Sequence, residues 1–410
     1  MAERRTGEVR PDSVWQSPHR TTLAVLTGCV VLVWAVMMSV FPALPHIAAE
    51  LRLESSSLGA LLAVSSLVMT VLNVPAGVLA DRYGRKPPIT VGLGVSAVGI
   101  FLAALSSSGP ALLIAGWLVF GVGRGLFLSP TFTVPADLFS FQQRGKAIGV
   151  LAGGIGAGSV LGYVLGGLLS AGGNWQLVLW VDGALLAVAT VAAALLPESL
   201  KEKLPSTLPK AFAQTFTWFA NRTVVVSGLV AGVAFAVGVA ATFLVPFSLT
   251  ALNASAWLIA FVFIPYEVVA SVGTTVAGAI SDKIGRKPVL IGCIALVVVA
   301  LALLPLAGVS VVSVAIIYAF VGLAEGPAIS MTTTMVTDEV LKLDPRRVGS
   351  ALGANRLIQG IGPILGPVFG GLLVQGVGVD ARFWVLAGAG VVAVVLALAL
   401  RGAPVKAVAA

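Results

Sequence analysis

Charged side chains are scarce in this chain: Asp, Glu, Lys and Arg make up 10% of its 410 residues, against about 25% in ordinary soluble domains. Hydrophobic residues account for 58%. This composition excludes an ordinary soluble enzyme, because a globular protein of this length needs polar residues to cover its surface. A helical membrane protein presents apolar side chains to lipid instead. The sequence therefore predicts an all-α membrane protein whose solvent is the lipid bilayer.

Cysteine and the usual catalytic motifs are also missing or sparse. The two cysteines, Cys29 and Cys293, both lie in apolar runs, and they have neither the number nor the spacing of a disulfide framework or a metal site. No phosphate-binding loop, HExxH motif or Ser-His-Asp set occurs in an aqueous loop of the sequence. We therefore expect no metal, no cofactor and no enzymatic activity, and we do not expect ATP-driven transport by this chain alone.

Long hydrophobic runs dominate what is present. A window of about 20 apolar residues, the length needed to cross a bilayer as a helix, fits the sequence twelve times. The predicted limits of the twelve spans are 22–45, 56–80, 88–107, 110–138, 146–170, 175–196, 223–250, 255–280, 288–307, 310–337, 348–374 and 380–401. The first run is too long for a signal peptide and lacks a cleavage site, so we expect an uncleaved start.

The basic residues predict the orientation of these spans, because short cytoplasmic loops are enriched in Lys and Arg. When the loops are assigned alternately to the two sides, 21 of the 25 basic residues fall on the side that holds both termini. Arg52 and Arg382 alone fall in the loops of the other side. We predict a multi-pass protein of the cell membrane with both termini in the cytoplasm. The net charge of +8 is then an orientation signal, and we expect no nucleic-acid partner.

The chain contains two copies of one half. The segment GVLADRYGRKP at 77–87 recurs as GAISDKIGRKP at 278–288, an offset of 201 residues, and a similar glycine-rich run recurs at an offset of 204. Transporter folds are commonly built from such repeats. We predict a cytoplasmic segment (1–21), a six-helix bundle (22–196), a cytoplasmic linker (197–222), a second six-helix bundle (223–401) and a cytoplasmic tail (402–410).

Twelve spans with both ends inside, and the glycine-aspartate-glycine-arginine loop in each half, resemble the major facilitator superfamily of secondary transporters. The resemblance covers residues 22–400. It implies two pseudo-twofold related six-helix bundles that face each other around a central cavity and rock, so that the cavity opens to each side in turn. Within the superfamily, the sequence most resembles the twelve-span bacterial drug-proton antiporters.

The resemblance gives the repeated loop a role as a cytoplasmic gate, in which a carboxylate at the end of the fourth helix completes a charge relay. By residue match, the two relays consist of Asp81, Arg85 and Asp137, and of Asp282, Arg286 and Asp338. The chemistry fits this role, because an arginine can bridge carboxylates and an aspartate can face a helix N-terminus. The alternative is a solvated turn that contacts lipid headgroups.

Glycines spaced four residues apart predict close helix packing on the fifth and eleventh spans. The two stripes are Gly158, Gly162 and Gly166, and Gly362, Gly366 and Gly370 with Pro367. Proton-coupled exporters of the superfamily carry a glycine-x-x-x-glycine-proline-x-x-glycine-glycine signature on the fifth helix. Here Tyr163 replaces that proline, and the full signature lies on the eleventh span instead. We expect both stripes to pack one half against the other.

Charges at membrane depth are functional candidates, because each costs about 2.5 to 3.5 kcal/mol on the insertion scale. Arg124 and Glu325 lie one repeat offset apart in spans four and ten, which predicts either an Arg-Glu pair or two separate charged walls of the cavity. A purely structural ion pair is the alternative. The exporters usually carry the arginine of span four seven residues earlier, where this chain has Trp117.

Glu267 follows Tyr266 in span eight, and its repeat counterpart is Ser66. A carboxyl group in a medium of low dielectric constant is costly to ionise, which suits it to binding a proton or a cationic substrate. We therefore predict that Glu267 or Glu325 is the proton-coupling acid. Further candidates for the cavity are Arg356, as an anion contact or a gate, with Asn355 beside it and Trp34 in an apolar wall.

The predicted function is alternating-access export of hydrophobic or amphipathic small molecules, drug-like compounds included, in exchange for protons. The proton gradient is the expected energy source, and its electrical part supplies about 2.3 kcal/mol per charge for each 100 mV. Two alternatives are a proton-coupled symporter importing an organic anion, with Arg124 and Arg356 as anion contacts, and a transport-inactive membrane scaffold or sensor. We expect a monomer whose partners are a small-molecule substrate and the bilayer.

Overall fold

The computed structural model describes residues 17–106, 109–200, 213, 215–307, 310–344 and 347–400. Helices make up all of the regular structure in these ranges, and twelve of them are long and apolar enough to cross a membrane. This confirms the predicted all-α membrane fold. The predicted tail, 402–410, most of the N-terminal segment, 1–21, and half of the linker, 197–222, lie outside the described residues.

The twelve spans are numbered here in chain order. Their bounds are His19–Glu50, Ser55–Tyr83, Lys86–Ala104, Ala111–Leu138, Gln143–Leu169, Trp175–Ala194, Arg222–Ala251, Ala256–Ile284, Arg286–Ala307, Val311–Leu343, Gly349–Gly376 and Val379–Leu398. Within the first half, span 1 packs on spans 5 and 6, and span 4 packs on spans 2 and 3. Within the second half, span 7 packs on spans 11 and 12, and span 9 packs on span 12.

Span 10 is interrupted near its middle. It consists of an α-helix over Val311–Ala319, a 3-10 turn over Phe320–Ala324 and an α-helix over Gly326–Leu343. Pro327 accounts for the interruption, because proline has no N–H group and cannot donate to the carbonyl of Leu323 four residues earlier. Glu325 lies at this break. Its counterpart Arg124 lies in the unbroken helix of span 4.

The glycines spaced four residues apart on spans 5 and 11 pack against spans of their own half, so the predicted packing between the halves is wrong for them. It is confirmed for the neighbouring Gly167, Pro367 and Gly371, which contact the other half. On span 5, a Cβ added at any stripe glycine would overlap the backbone of span 1, at Val31, Ala35 and Ser39. On span 11, the added atoms would meet side chains of span 7, including Phe235, Val239 and Phe243. A four-residue spacing marks one face of a helix. That face lies toward the neighbour within the half.

The two halves meet closely at one end of the bundle, named here the closed end. Span 2 lies against span 11, where a Cβ on Gly59 would overlap the carbonyl oxygen of Pro367. Gly371 lies in the same way against the backbone of Ser55. These glycines allow backbone-to-backbone contact between the halves, which any side chain at Gly59 would prevent.

Spans 5 and 8 close the same end with aromatic side chains. The rings of Tyr163 and Phe263 stack with their centroids 4.3 Å apart and an interplanar angle of 9°. Under the offsets of 201 and 204 residues, Tyr163 corresponds to Pro367, and Ala260 of span 8 corresponds to Gly59. The residue that departs from the family signature therefore replaces a glycine-proline contact by an aromatic contact.

The halves separate toward the other end, named here the open end, which carries the two Gly-Arg-Lys-Pro loops. A Cβ added at Gly156 of span 5 would lie 2.8 Å from the Oγ of Ser271 on span 8. One and two turns farther on, Gly153 and Gly149 have no described neighbour within 4 Å of that position. Gly278 on span 8 is equally free. At these glycine positions, contact between spans 5 and 8 thus ends near Ser271, and a gap between the halves begins there.

We predict that Gly59→Val forces the closed end apart, because the new side chain overlaps the carbonyl of Pro367. Overpacking of this kind costs about 1 to 3 kcal/mol. Spin labels on exposed Arg52 and Asp380, in a variant whose two buried cysteines are replaced by alanine, should report a longer mean distance between the halves. Gly376→Val is the matched control, since a Cβ there meets no described atom. An unchanged distance distribution in Gly59→Val contradicts the prediction.

Candidate functional site

Glu267 lies where the contact between spans 5 and 8 gives way to the open space, one turn before Ser271. Its carboxylate lies near the hydroxyl of Ser159 on span 5 of the other half. The Oγ of Ser159 donates to the carbonyl oxygen of Ile155, in its own span, at 3.1 Å. A serine hydroxyl has one hydrogen, so it cannot donate to the Ile155 carbonyl and to an ionised Glu267 at the same time.

Glu325 lies close to Glu267, at the break in span 10. The phenolic O–H of Tyr266 donates to Glu325 Oε1 at 2.7 Å. Tyr266 and Glu267 are consecutive in span 8, and the charge of Glu325 acts on Glu267. No described basic side chain forms an ion pair with either carboxylate. Two like charges in this position repel each other, and a proton or a cation that binds there relieves the repulsion.

An aromatic layer lies beside the two carboxylates. It consists of four buried side chains, Tyr163, Phe263, Tyr266 and Tyr318. Phe263 contacts Tyr318 edge-to-face at 5.7 Å, and Tyr318 stacks on Tyr266 at 4.9 Å. Sequence reasoning missed Phe263 and Tyr318; the spacing of three between Phe263 and Tyr266, which places both on one helix face, was the available signal. The layer joins span 5 of one half to spans 8 and 10 of the other.

Arg124 forms no ion pair with Glu325, so the predicted Arg-Glu pair is absent from the described residues. The guanidinium carbon lies 5.9 Å from the ring centroid of Trp34 on span 1 and 5.4 Å from that of Phe120. The residue is 5% exposed. Within the described ranges, no side chain or carbonyl accepts a hydrogen bond from it.

Arg356 and Asn355 are neighbours in sequence but have different surroundings. Arg356 is exposed, in the half of span 11 nearer the open end. Asn355 is fully buried, and its Nδ2 donates to the carbonyl of Val224 at 3.0 Å while its Oδ1 accepts from Gln359 at 2.6 Å. Its amide is thus occupied in bracing span 11 against span 7. Contrary to the prediction, Asn355 does not line the cavity.

The loop of the first half forms a buried ionic cluster. Arg85 donates from Nη1 to Asp81 at 2.5 Å and from Nε to Asp137 at 3.0 Å. Burial alone would lower the pKa of Arg85, but hydrogen bonds and charges from Asp137 and Asp81 outweigh it and raise the pKa above its usual value. Glu198, which no sequence pattern marks, accepts the backbone N–H groups of Arg85 and Lys86 at 2.8 and 3.1 Å. This carboxylate caps the N-terminus of span 3.

The loop of the second half is built differently. Arg286 pairs with Asp338, while exposed Asp282 forms no ion pair with any described residue. Lys287 donates instead to the carbonyl oxygens of Leu398 and Leu400 at the end of span 12, at 2.7 Å each. The two offsets place Ala399 or Gly402 at the position of Glu198, and neither can supply a carboxylate to cap span 9. Similar loop sequences thus give different clusters.

Comparison with known proteins gives consistent matches. The family model described as Major Facilitator Superfamily matches residues 26–354 and 234–409. The uncharacterized MFS-type transporter YbcL of Bacillus subtilis (strain 168) is 25% identical over 361 residues, 87% of this chain and 89% of that protein. An uncharacterized MFS-type transporter of Mycobacterium tuberculosis is 34% identical over 169 residues, 40% of this chain. That match spans about a quarter, 24%, of the length of the mycobacterial protein.

The fold is also that of a solved transporter. The crystal structure of a bacterial homologue of the human lysosomal transporter Spinster, in an inward-facing and unoccupied conformation, matches with a TM-score of 0.73. The match covers 94% of this chain and 95% of that chain at 18% sequence identity.

We predict that Asp137→Asn destabilises the protein more than Asp338→Asn. The side chains of Arg85 and Asp137 are 9% and 15% exposed, whereas those of Arg286 and Asp338 are 26% and 38% exposed. Removing a charged hydrogen-bond partner from a buried cluster costs about 1.5 to 3 kcal/mol, and an exposed pair contributes about 1 kcal/mol or less. Thermal unfolding of both purified variants in one detergent measures the difference. Equal losses would show that burial does not separate the two clusters.

Proposed function

Because the chain belongs to the major facilitator superfamily of secondary transporters, we propose that it exports hydrophobic or amphipathic small molecules, drug-like compounds included, in exchange for protons. It is a transporter rather than an enzyme. One observation carries the proposal: Glu267 and Glu325 lie together where the space between the halves begins, with no basic partner among the described residues. Such a pair binds a proton or a cation.

The open end is the cytoplasmic end in this proposal. It carries the basic loops, and short cytoplasmic loops are enriched in Lys and Arg. The protein then lies in the cell membrane with both termini inside, and the described state opens inward. The Spinster homologue has the same fold and was crystallised in an inward-facing conformation. The relay residues at the loops are the gate that closes this end when the cavity turns outward.

Proton exchange at Glu267 links binding to movement of the halves. In this proposal, the ionised carboxylate accepts a hydrogen bond from the nearby Ser159 hydroxyl across the contact of spans 5 and 8. Once protonated, Glu267 no longer needs that hydrogen, and Ser159 can donate to the Ile155 carbonyl of its own span. A proton that arrives from outside therefore alters the contact that holds the closed end, and its release to the cytoplasm restores that contact.

The substrate wall is apolar and aromatic in this proposal. Trp34, which is half-buried beside Arg124, belongs to this wall, whereas the rings of Tyr163, Tyr266 and Tyr318 are fully buried beside the carboxylates. Aromatic rings contribute broad apolar contact area with few geometric demands. Such a wall suits hydrophobic and amphipathic molecules of varied shape. The protein would work as a monomer in the bilayer, with no cofactor and the proton gradient as its energy source.

One feature favours the alternative, proton-coupled import of an organic anion: Arg124 places a buried cation on the first half. Transport of a neutral proton-anion pair needs both an acid and a cationic site. The two functions share the cavity and differ in the direction of proton flow. A transport-inactive scaffold or sensor, the third reading of the sequence, would have neither flow.

Inside-out membrane vesicles distinguish these functions. In vesicles acidified by respiration, an exported compound releases stored protons and restores the fluorescence of a quenched acridine dye. We expect this release on addition of at least one of ethidium, Nile red and 2-naphthoate, and its loss with a protonophore. Accumulation of 2-naphthoate in right-side-out vesicles, driven by outside acid, would instead establish import. If neither flow occurs, a transport-inactive scaffold or sensor is the remaining function.

We predict that Glu267→Gln combined with Glu325→Gln abolishes substrate-induced proton release, because glutamine keeps the shape of the side chain but does not titrate. Asp182→Asn is the matched control. Asp182 is a fully buried acid that hydrogen-bonds Ser39 at 2.5 Å, within the packing of spans 1 and 6. Asparagine can keep that bond, so this variant should release protons at the wild-type rate. Proton-driven transport that survives the double substitution would refute the proposed coupling site.

A further inference from the structure

The direction of the Arg124 side chain follows from glycines on span 4. A Cβ on Gly121 or Gly125 would collide with span 2, near Ser65 and Leu72. A Cβ on Gly123 would overlap the backbone of span 3. Two sides of span 4 are thus in backbone contact with neighbours and leave no room for a long side chain. The remaining side holds Arg124 and faces Trp34 of span 1.

The guanidinium in that position lacks hydrogen-bond acceptors. It presents five N–H donors, yet the described residues provide neither a carboxylate nor a carbonyl that accepts from them. Its contacts are the rings of Trp34 and Phe120. Several described polar atoms are both fully enclosed and without a hydrogen-bond partner, and the guanidinium nitrogens of Arg124 are not among them. The guanidinium is therefore almost buried, unpaired, and still accessible over a small area.

The equivalent position in the second half is satisfied internally. Glu325, one offset from Arg124, accepts the hydrogen bond of Tyr266. The counterpart of Tyr266 is Ser65, whose short side chain lies beside Gly121 and is itself without a partner. The first half therefore supplies no substitute for the missing acceptor. Ring contacts offset only part of the cost of burying a charge, and the rest requires hydrogen bonds that the guanidinium donates to an anion.

We infer that Arg124, between the rings of Trp34 and Phe120, is a binding subsite for an anionic group, a carboxylate or a similar planar acceptor, on a substrate with an aromatic or apolar body. Guanidinium and carboxylate match as two parallel hydrogen bonds, and the rings provide apolar contact for the body. Arg356 has no such setting, because it is exposed. The inference rests on the proposed function only in taking the space between the halves as a substrate cavity.

The test is binding of 2-naphthoate to the purified full-length protein, with 2-naphthamide as the uncharged probe of the same shape. Thermal unfolding at constant ionic strength should show a rise in Tm with 2-naphthoate concentration and no comparable rise with 2-naphthamide. Arg124→Gln should weaken 2-naphthoate binding by about 10-fold or more, since a charged hydrogen-bond partner is lost. Arg52→Gln, which removes an exposed arginine at the closed end, should bind as the wild type does.

Trp34 provides a second readout that does not depend on the folding of an Arg124 variant. Binding of 2-naphthoate should change the tryptophan fluorescence of the wild type, and the change should be largely absent in Trp34→Phe. Arg124→Lys, which keeps the charge but not the paired hydrogen bonds, should bind 2-naphthoate more weakly than the wild type. Equal binding of the acid and the amide, unchanged affinity in Arg124→Gln, or no binding to the wild type overturns the inference.

Failure of this inference is distinguishable from failure of the proposed function. The binding measurement requires neither a proton gradient nor transport. If the protein binds 2-naphthoate through Arg124 but releases no protons from energised vesicles, the subsite is supported and the proposed exchange is refuted. If the protein exchanges protons for ethidium but does not bind 2-naphthoate, the exchange is supported and the subsite is refuted.

Discussion

The cost of an unneutralised charge in a low-dielectric interior governs this structure. Arg85 is held by two carboxylates and Glu325 by a tyrosine hydroxyl, while Glu267 lies near a serine of the opposite half. Each of these arrangements adds a contact between spans that apolar packing alone would not specify. Arg124 differs from them, since its described contacts are aromatic rings and no described group accepts a hydrogen bond from it.

Internal duplication explains where these groups lie but not what they do. The offset of 201 residues places Glu325 opposite Arg124 and Tyr266 opposite Ser65. In the second half the pair is complete, and in the first half both members lack a partner. The two Gly-Arg-Lys-Pro loops diverge in the same manner, since Glu198 caps span 3 and no described carboxylate caps span 9. A duplicated scaffold can carry different chemistry in each copy, because helix packing depends on glycine positions, while the charged residues at equivalent positions can differ, as Arg124 and Glu325 do.

Much of the fold was predictable from sequence, because hydrophobic length and repeats are local properties. The twelve spans and the all-α class follow from windows of apolar residues. The direction of the glycine stripes was not predictable, since a four-residue spacing identifies one face of a helix without identifying the neighbour that covers it. Asn355 shows the same limit: its position on span 11 is local information, but its bond to the carbonyl of Val224 is not. For the same reason, the sequence alone does not decide whether Arg124 pairs with Glu325.

The two interfaces between the halves are built differently, and the difference involves Tyr163, which stands where the exporter signature has proline. Spans 2 and 11 meet through the backbone contact of Gly59 with Pro367, and Gln375 donates to the Glu54 carboxylate at the end of the same interface at 2.9 Å. Spans 5 and 8 meet through Tyr163 and Phe263, and Glu267 lies one turn beyond that stack, near Ser159 of the other half. In the proposed exchange, a change in the charge of Glu267 acts directly on the interface of spans 5 and 8. Under the proposed exchange, the halves would rock about spans 2 and 11 while spans 5 and 8 respond to the proton.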